Sequence, residues 1–310
     1  MVNFLNTFLF YKAMNLKNFY RRNYKLLMII PFVLLIISVA FISIKYIKTG
    51  ELVNRDISLK GGISVSIYSD KEVDVNELKN NLVNDLKNEI SVRELSDLTT
   101  KKQIGIIIET SDISVKDKLK DSIENNLKIK LNEENYSIEE IGSNLGEGFY
   151  KDMIKAVIIA FILMGIVVFI SFRMWVPSLA VILSAFLDII ATLMFVDLIG
   201  IKVSAAGIAS FLLIIGYSID TDILLTTRVL KRTEKGTVVD RIFDSLGTGL
   251  TMTATTIIAL TIGYFVATSS TLKEMFSIIL IAMVIDVIST YFMNAGILMI
   301  YKRNELKNEV

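Results

Sequence analysis

Nineteen consecutive residues, Leu26 to Ile44, carry no charge. At about 1.5 Å per residue a helix of that length reaches across a hydrocarbon core of about 30 Å. Some 100 polar residues follow, and the apolar runs then resume at about 154–172, 176–197, 203–227, 248–268 and 275–300. Backbone polar groups in lipid must be satisfied within their own segment, so such runs are helices. The pattern predicts a polytopic α-helical membrane protein with six transmembrane helices. Its parts are an N-terminal segment 1–25, a first span 26–47, a polar domain 48–152, five spans within 153–300 and a tail 301–310. Segregation explains how 53% hydrophobic residues coexist with 21% charged ones.

The charges also set the orientation. With the N-terminus inside, the cytoplasmic segments hold fourteen Lys and Arg, whereas the short outer loops hold only Lys202 and Lys273. Positive charge is retained on the cytoplasmic side of a membrane. Both termini are therefore expected in the cytoplasm of a multi-pass plasma-membrane protein, with 48–152 extracytoplasmic. That domain carries 15 basic and 21 acidic residues against 18 and 11 elsewhere, so the net charge of +1 averages an acidic outside and a basic inside. Leu26–Ile44 reads as an uncleaved anchor, since its leading segment is long and no small-residue cleavage site follows. The first 20 residues fit either an interfacial amphipathic helix, with Phe4, Leu5, Phe8 and Leu9 on its apolar side, or a partly ordered tail.

Within the polar domain the elements are legible. Gly62–Tyr68 alternates β-branched residues and reads as a strand. Asp74-Val-Asn-Glu77 has the form of a capping box, followed by Val75, Leu78, Leu82 and Leu86 at helical spacing. Strands are expected at Ile90–Leu98, at Ile104–Ile108 after a Thr-Lys-Lys turn, and at Tyr136–Ile141. A second capping box, Ser114 to Asp117, precedes a helix bearing Leu119, Ile123 and Leu127. The order βαββαβ is that of an α+β ferredoxin-like plait.

Several chemistries are excluded. The chain has no Cys and no His, which removes disulfides, thiolate sites, imidazole relays and the common zinc sites. No G-x-x-x-x-G-K-[ST] segment is present, and Gly142, Gly146 and Gly148 do not form a dinucleotide fingerprint. No enzymatic activity, cofactor or metal is expected, and the charge balance argues against nucleic acid as a partner.

What stands out are acids within the apolar runs: Asp188 in the third span, Asp220 and Asp222 in the fourth and Asp286 in the sixth. An ionised Asp at a helix centre costs about 2.5–3.5 kcal/mol on insertion scales, so each needs a reason. Counted from the cytoplasmic ends, Asp188 lies about 18 Å deep, Asp286 about 20 Å and Asp220 about 10 Å, one to two turns above Arg228. Asp197 falls at an outer helix end. Asp220 and Asp222 are about 200° apart around a helix and cannot share one seam, so one is expected to face the bundle interior and the other a neighbouring helix or a partner subunit. Gly216, one turn above Asp220, leaves space, and on that ground Asp220 is the one expected to face the interior. These acids either cap and cross-link helices or form a carboxylate relay aided by Ser and Thr, including Thr248, Thr251, Thr253, Thr255, Thr256 and Thr261 of the fifth span. Small-xxx-small pairs, Ala205/Ala209 and Ala206/Ser210, suit the fourth span to a close-packed central place.

One helix, a plait-like outer domain and five more helices is a layout similar to that of the SecD/SecF branch of the resistance-nodulation-division transporters. Asp56-Ile-Ser-Leu-Lys-Gly61-Gly62 resembles that family's D-x-x-x-G-G segment. Ile141-Gly142-Ser-Asn-Leu-Gly146 resembles its V-G-P-x-x-G lead-in to the second span, with Ser143 in place of Pro. Phe172-Arg173-Met-Trp175 resembles its F-R-x-W turn. Gly216-Tyr217-Ser218-Ile-Asp220-Thr-Asp222, followed by Arg228, resembles the fourth-span motif in its SecF form, closer to archaeal than to bacterial versions. The departures are specific. Asp220-Thr221 replaces Asn-Asp, Thr227 replaces the acid before Arg228, Leu187 replaces a His beside Asp188, and Asp286 falls where the pattern has no acid. The resemblance carries an ion-relay role to Asp188 and Asp220. Asp222, Asp286 and Arg228 remain candidates by position.

The resemblance implies an accessory subunit of the Sec translocon that promotes preprotein export with proton or sodium motive force. Its implied partners are a SecD-like six-helix subunit, the SecYE(G/β) translocon, preproteins and membrane lipid. A half-unit of a small-molecule or lipid transporter of the same superfamily, or a membrane scaffold without ion coupling, are the other readings.

Overall fold

The structure, a computed structural model, describes residues 2–69, 72–96, 102–132, 135–232, 234, 236–267 and 269–304. Among these are six helices long and apolar enough to cross a membrane. The first, α1 (Val2–Thr49), is one continuous helix through Pro31. The stretch of it that is long and apolar enough to cross a membrane is Met14–Thr49. Its inner part is held to the bundle by a Lys17–Asp240 ion pair at 2.6 Å and by Tyr20 Oη, which donates to the Tyr291 carbonyl at 2.6 Å.

A single turn, α2 (Ile57–Lys60), leads into the outer domain: β1 (Gly62–Tyr68), α3 (Val75–Leu86), β2 (Ile90–Ser96), β3 (Gln103–Thr110), α4 (Lys116–Leu127) and β4 (Tyr136–Ile141). The sheet order is β2-β3-β1-β4 with every pair antiparallel, which is the expected plait. Ile63, Val65 and Ile67 of β1 and Ile106 and Ile108 of β3 bury against Leu78, Leu82, Leu119 and Ile123 of the two helices. Asp74 caps α3 as expected, accepting from the Asn76 and Glu77 amides. The second capping box does not form. A 3-10 turn at Ile113–Val115 precedes α4, and Asp112, not Ser114, supplies the cap. The last two residues of the expected strand Ile90–Leu98, and most of the turn after it, lie outside the described residues.

The remaining helices are α5 (Ser143–Phe172), α6 (Trp175–Ile199), α7 (Ala205–Lys231), α8 (Val238–Val266), α9 (Ser270–Ile288), a π-helical segment (Ser289–Asn294) and α10 (Ala295–Tyr301), the last three forming one span. α5 and α8 begin about ten residues before their apolar runs because backbone hydrogen bonding continues into polar sequence; Thr237 and Asp240 close a full capping box at the start of α8. α6 is the most enclosed helix, and α7 packs against α5, α6, α8 and α9.

Two of the family-like glycine segments meet where α1 hands over to the outer domain. Gly61 and Gly62 have φ of 78° and 141°. A Cβ on Gly62 would overlap the Thr110 carbonyl oxygen, and a Cβ on Gly146 of α5 would lie 2.6 Å from the Gly61 amide nitrogen. Gly142, which caps α5, has open space around it. Gly62→Ala and Gly146→Ala are thus expected to destabilise the chain by at least about 2 kcal/mol, and Gly142→Ala by less than about 1 kcal/mol. Thermal unfolding of the detergent-solubilised chain ranks the three.

The outer domain also has an acid limit. Ser122 and Asn126 donate to Asp85, and Ser114 to Asp112, holding both carboxyls below the usual carboxylate range. A depressed folded-state value means that the stabilisation is complete above the unfolded pKa of about 4 and is lost as pH falls through the folded one. Pepsin is expected to cut this domain increasingly as pH falls below about 4, and Asp85→Asn with Asp112→Asn to flatten that dependence.

Candidate functional site

Asp188, near the middle of α6, is fully buried. Ser218 of α7 donates to its Oδ2 at 2.5 Å, and Ser289 of the π segment to its Oδ1 at 2.6 Å. Asp286 of α9 is buried one turn before the π segment; Thr221 Oγ1 lies 3.1 and 3.2 Å from its two carboxylate oxygens. The two acids are linked through hydroxyls and backbone carbonyls. Thr221 Oγ1 also sits 2.8 Å from the Ser218 carbonyl, and Ser289 Oγ 3.0 Å from the Asp286 carbonyl. A hydroxyl has one proton, so each satisfies only one of its acceptors at a time.

Asp222 is the third buried acid. Asn294, the last residue of the π segment, donates to its Oδ1 at 2.8 Å and lies 3.4 Å from Thr226 Oγ1. Asp222 Oδ2 and Asn294 Oδ1 are buried acceptors with no donor among the described residues. The π turn places Ser289, Thr290 and Asn294 along the carboxylates; π turns recur at functional sites.

The expectation that Asp220 faces the interior is overturned. Asp220 and Gly216 are both exposed, one turn apart on the outward face of α7. The buried face runs through Ile214, Ser218, Thr221, Asp222, Leu225 and Val229. The open space at Gly216 is real, since a Cβ there would meet nothing within 4 Å, but it lies outside the bundle. Arg228 pairs with Asp244 of α8 at 2.9 Å, so it anchors α7 to α8. Tyr217 Oη lies 3.4 Å from Thr253, the only hydroxyl of the fifth-span Thr series that is fully buried among the described residues. Thr248, Thr251 and Thr255 are exposed and bond back to their own helix. Arg173 ends α5 in the left-handed conformation, and exposed Trp175 packs on Phe169 at 4.5 Å between ring centres, as suits an aromatic at a membrane surface. Asp197 pairs with Lys45 of α1 at the outer end.

Among the described residues no Lys or Arg pairs with Asp188, Asp222 or Asp286, and no three acids lie close enough together to hold one metal ion. Each of the three buried carboxylates is met by hydroxyls or an amide from a neighbouring helix. Ser289, Thr290 and Asn294 went unread in the sequence. Their signal was there: with Asp286 they fall at i, i+3, i+4 and i+8, one polar stripe in an otherwise apolar span.

The family described as "Protein export membrane protein SecD/SecF, C-terminal" matches residues 115–304. The chain is 38% identical to the protein-export membrane protein SecF of Methanocaldococcus jannaschii, over 90% of this chain and 96% of that one. It is 34% identical to the SecF of Pyrococcus furiosus over 89% of this chain and 90% of that one. Its fold is similar to a crystal structure of SecDF, a translocon-associated membrane protein from Thermus thermophilus, with a TM-score of 0.71 at 18% identity over 92% of this chain. A second SecDF structure gives 0.63 at the same identity. The chain spans 38% and 39% of those two longer chains. With its six spans, its antiparallel plait and its close likeness to SecF sequences along almost its whole length, the chain belongs to the SecD/SecF family of protein-export membrane proteins.

Proposed function

We propose that this chain is the SecF-type half of an export complex in the plasma membrane. A SecD-like six-helix subunit completes it, and it works beside the SecYE(G/β) translocon on preproteins. Both termini lie in the cytoplasm and the plait lies outside. The chain catalyses no chemical reaction; it converts ion flow, of protons or sodium ions, into movement that favours export. Each elementary charge crossing supplies about 2.3 kcal/mol per 100 mV.

The observation that carries this reading is the buried series Asp188, Asp286 and Asp222 on three helices, lined by hydroxyls and lacking a paired cation among the described residues. Buried acids of this kind mark ion and proton pathways in membrane proteins. Asp188→Asn, Asp222→Asn and Asp286→Asn are each expected to abolish the gradient-dependent part of export in membranes that contain the partner. Asp220→Asn, on the outward face, is expected to retain most of it. Export that responds to the gradient as in wild type in all three buried variants would overturn the ion-coupled reading.

A further inference from the structure

The outer end of α7 is held in an unusual way. The first N–H groups of a helix have no partner within it and need one from elsewhere. Here three different parts of the chain supply them. Ser204 caps its own helix, its hydroxyl accepting from the Gly207 N–H at 3.2 Å. Ser58 of α2 accepts from the Ala205 N–H at 3.2 Å. Glu274, a buried acid on α9 that the ion series does not use, accepts from the Ser204 N–H at 2.7 Å.

The fit around Glu274 is close. A Cβ on Gly207 would overlap its carboxylate oxygen and lie 2.9 Å from Val203 Cγ1. A carboxylate at a helix N-terminus also meets the positive end of the helix dipole, which favours it there.

The outer domain grips the same spot. Residues 54 and 56 form a two-bond bridge to Val203: Asp56 N–H donates to the Val203 carbonyl at 2.9 Å, and Val203 N–H to the Asn54 carbonyl at 2.7 Å. Arg93 of β2 pairs with Asp56 at 3.2 Å and with Glu109 of β3. Its other terminal nitrogen reaches Ser270 Oγ at 3.5 Å, one turn before Glu274 on α9. Lys202, in the loop before α7, reaches Glu89 of the outer domain at 3.3 Å.

The two helices joined by Glu274 also carry the ion series: α7 bears Ser218, Thr221 and Asp222, and α9 with its π segment bears Asp286 and Asn294. Glu274 and Asp286 are twelve residues apart, about 18 Å along one helix. Neutralising or charging Asp222 and Asp286 alters the Asn294–Asp222 and Thr221–Asp286 contacts, which are contacts between α7 and α9. A helix is stiff along its axis, so a shift of α7 against α9 at the acids is also a shift at Ser204.

We infer that Glu274 is a positioning residue: it fixes the outer end of α7 against α9 and so transmits ion occupancy of the buried acids to the outer domain. The inference rests on the ion-coupled reading and adds to it the route from ion to outer domain. Ser204, Gly207, Ser58 and Arg93 complete the route. Glu274 touches no ion in this scheme; it acts through the N-terminus of α7.

The chain has no Cys, so a pair of introduced cysteines can be spin-labelled alone. Asn80→Cys on exposed α3 and Ile199→Cys at the outer end of α6 report the distance between outer domain and bundle. The measurement is pulsed EPR on the full chain reconstituted with its partner subunit, in energised and uncoupled vesicles. In the otherwise unmodified chain the distance is expected to shift on energising. Glu274→Ala and Gly207→Ala are expected to lose the shift, whereas Glu274→Gln, which keeps an acceptor for the Ser204 N–H, retains it. Should Gly207→Ala fail to assemble with the partner, the Glu274→Ala and Glu274→Gln pair carries the test. Shifts in Glu274→Ala equal to those of the parent overturn the role of Glu274 and leave ion coupling standing. Absence of a shift in the parent, with export still dependent on Asp222, overturns transmission to the outer domain. Absence of both the shift and the export dependence on the buried acids removes the ion-coupled reading itself.

Discussion

The hydrogen bonds that Ser218 and Ser289 give to Asp188 organise the membrane part of the molecule. A carboxylate sunk into an apolar helix is costly unless its oxygens are satisfied. Meeting that need requires α7 and the π segment to present hydroxyls to α6 from two directions. The close packing of α6 against α7, α9 and the π segment follows, as does its place as the most enclosed helix. α5 and α8, which carry none of the three buried acids, are left to present most of their apolar surface outward.

Much of the fold was legible in the sequence because each part obeys one dominant rule. The spans are set by the thickness of the bilayer, which demands a run of apolar residues whatever the packing partner. The plait is set by period-two and period-3.6 alternation, and Gly62–Tyr68 and Tyr136–Ile141 match at both ends. What was misread is what hydropathy does not measure. The starts of α5 and α8 are helical in polar sequence, where hydrogen bonding and capping continue after the lipid stops. At Ser114 the competing residue was Asp112, whose carboxylate reaches the Ser114 N–H and O–H first and so moves the cap.

The candidate site was half legible. Charge inside an apolar run is conspicuous, and Asp188, Asp222 and Asp286 were all visible. Which of Asp220 and Asp222 points inward was not, because the two faces of α7 are decided by its neighbours. Ser218, Thr221, Asp222 and Leu225 make the buried face because α6 and α9 lie on that side, and the gap at Gly216 opens the other way. Asn294 was missed because an uncharged amide stands out less than an acid. Yet its side-chain amide donates to Asp222 at 2.8 Å.

The π segment has a consequence for how this chain tolerates change in length. A π turn holds one residue more than an α turn, so Ser289–Asn294 stores a single extra residue inside the last span. Because the extra residue is taken up inside the turn, deleting one there would let α9 and α10 join as an unbroken α-helix with α10 still in register. Leu298 and Met299 would keep their buried face, and the change would fall on the hydroxyls and the amide of the π segment itself. A frame-preserving loss of one codon at this place would therefore strike the lining of the carboxylates and spare the helix beyond it, where the same loss in a regular α turn would rotate everything downstream by about 100°.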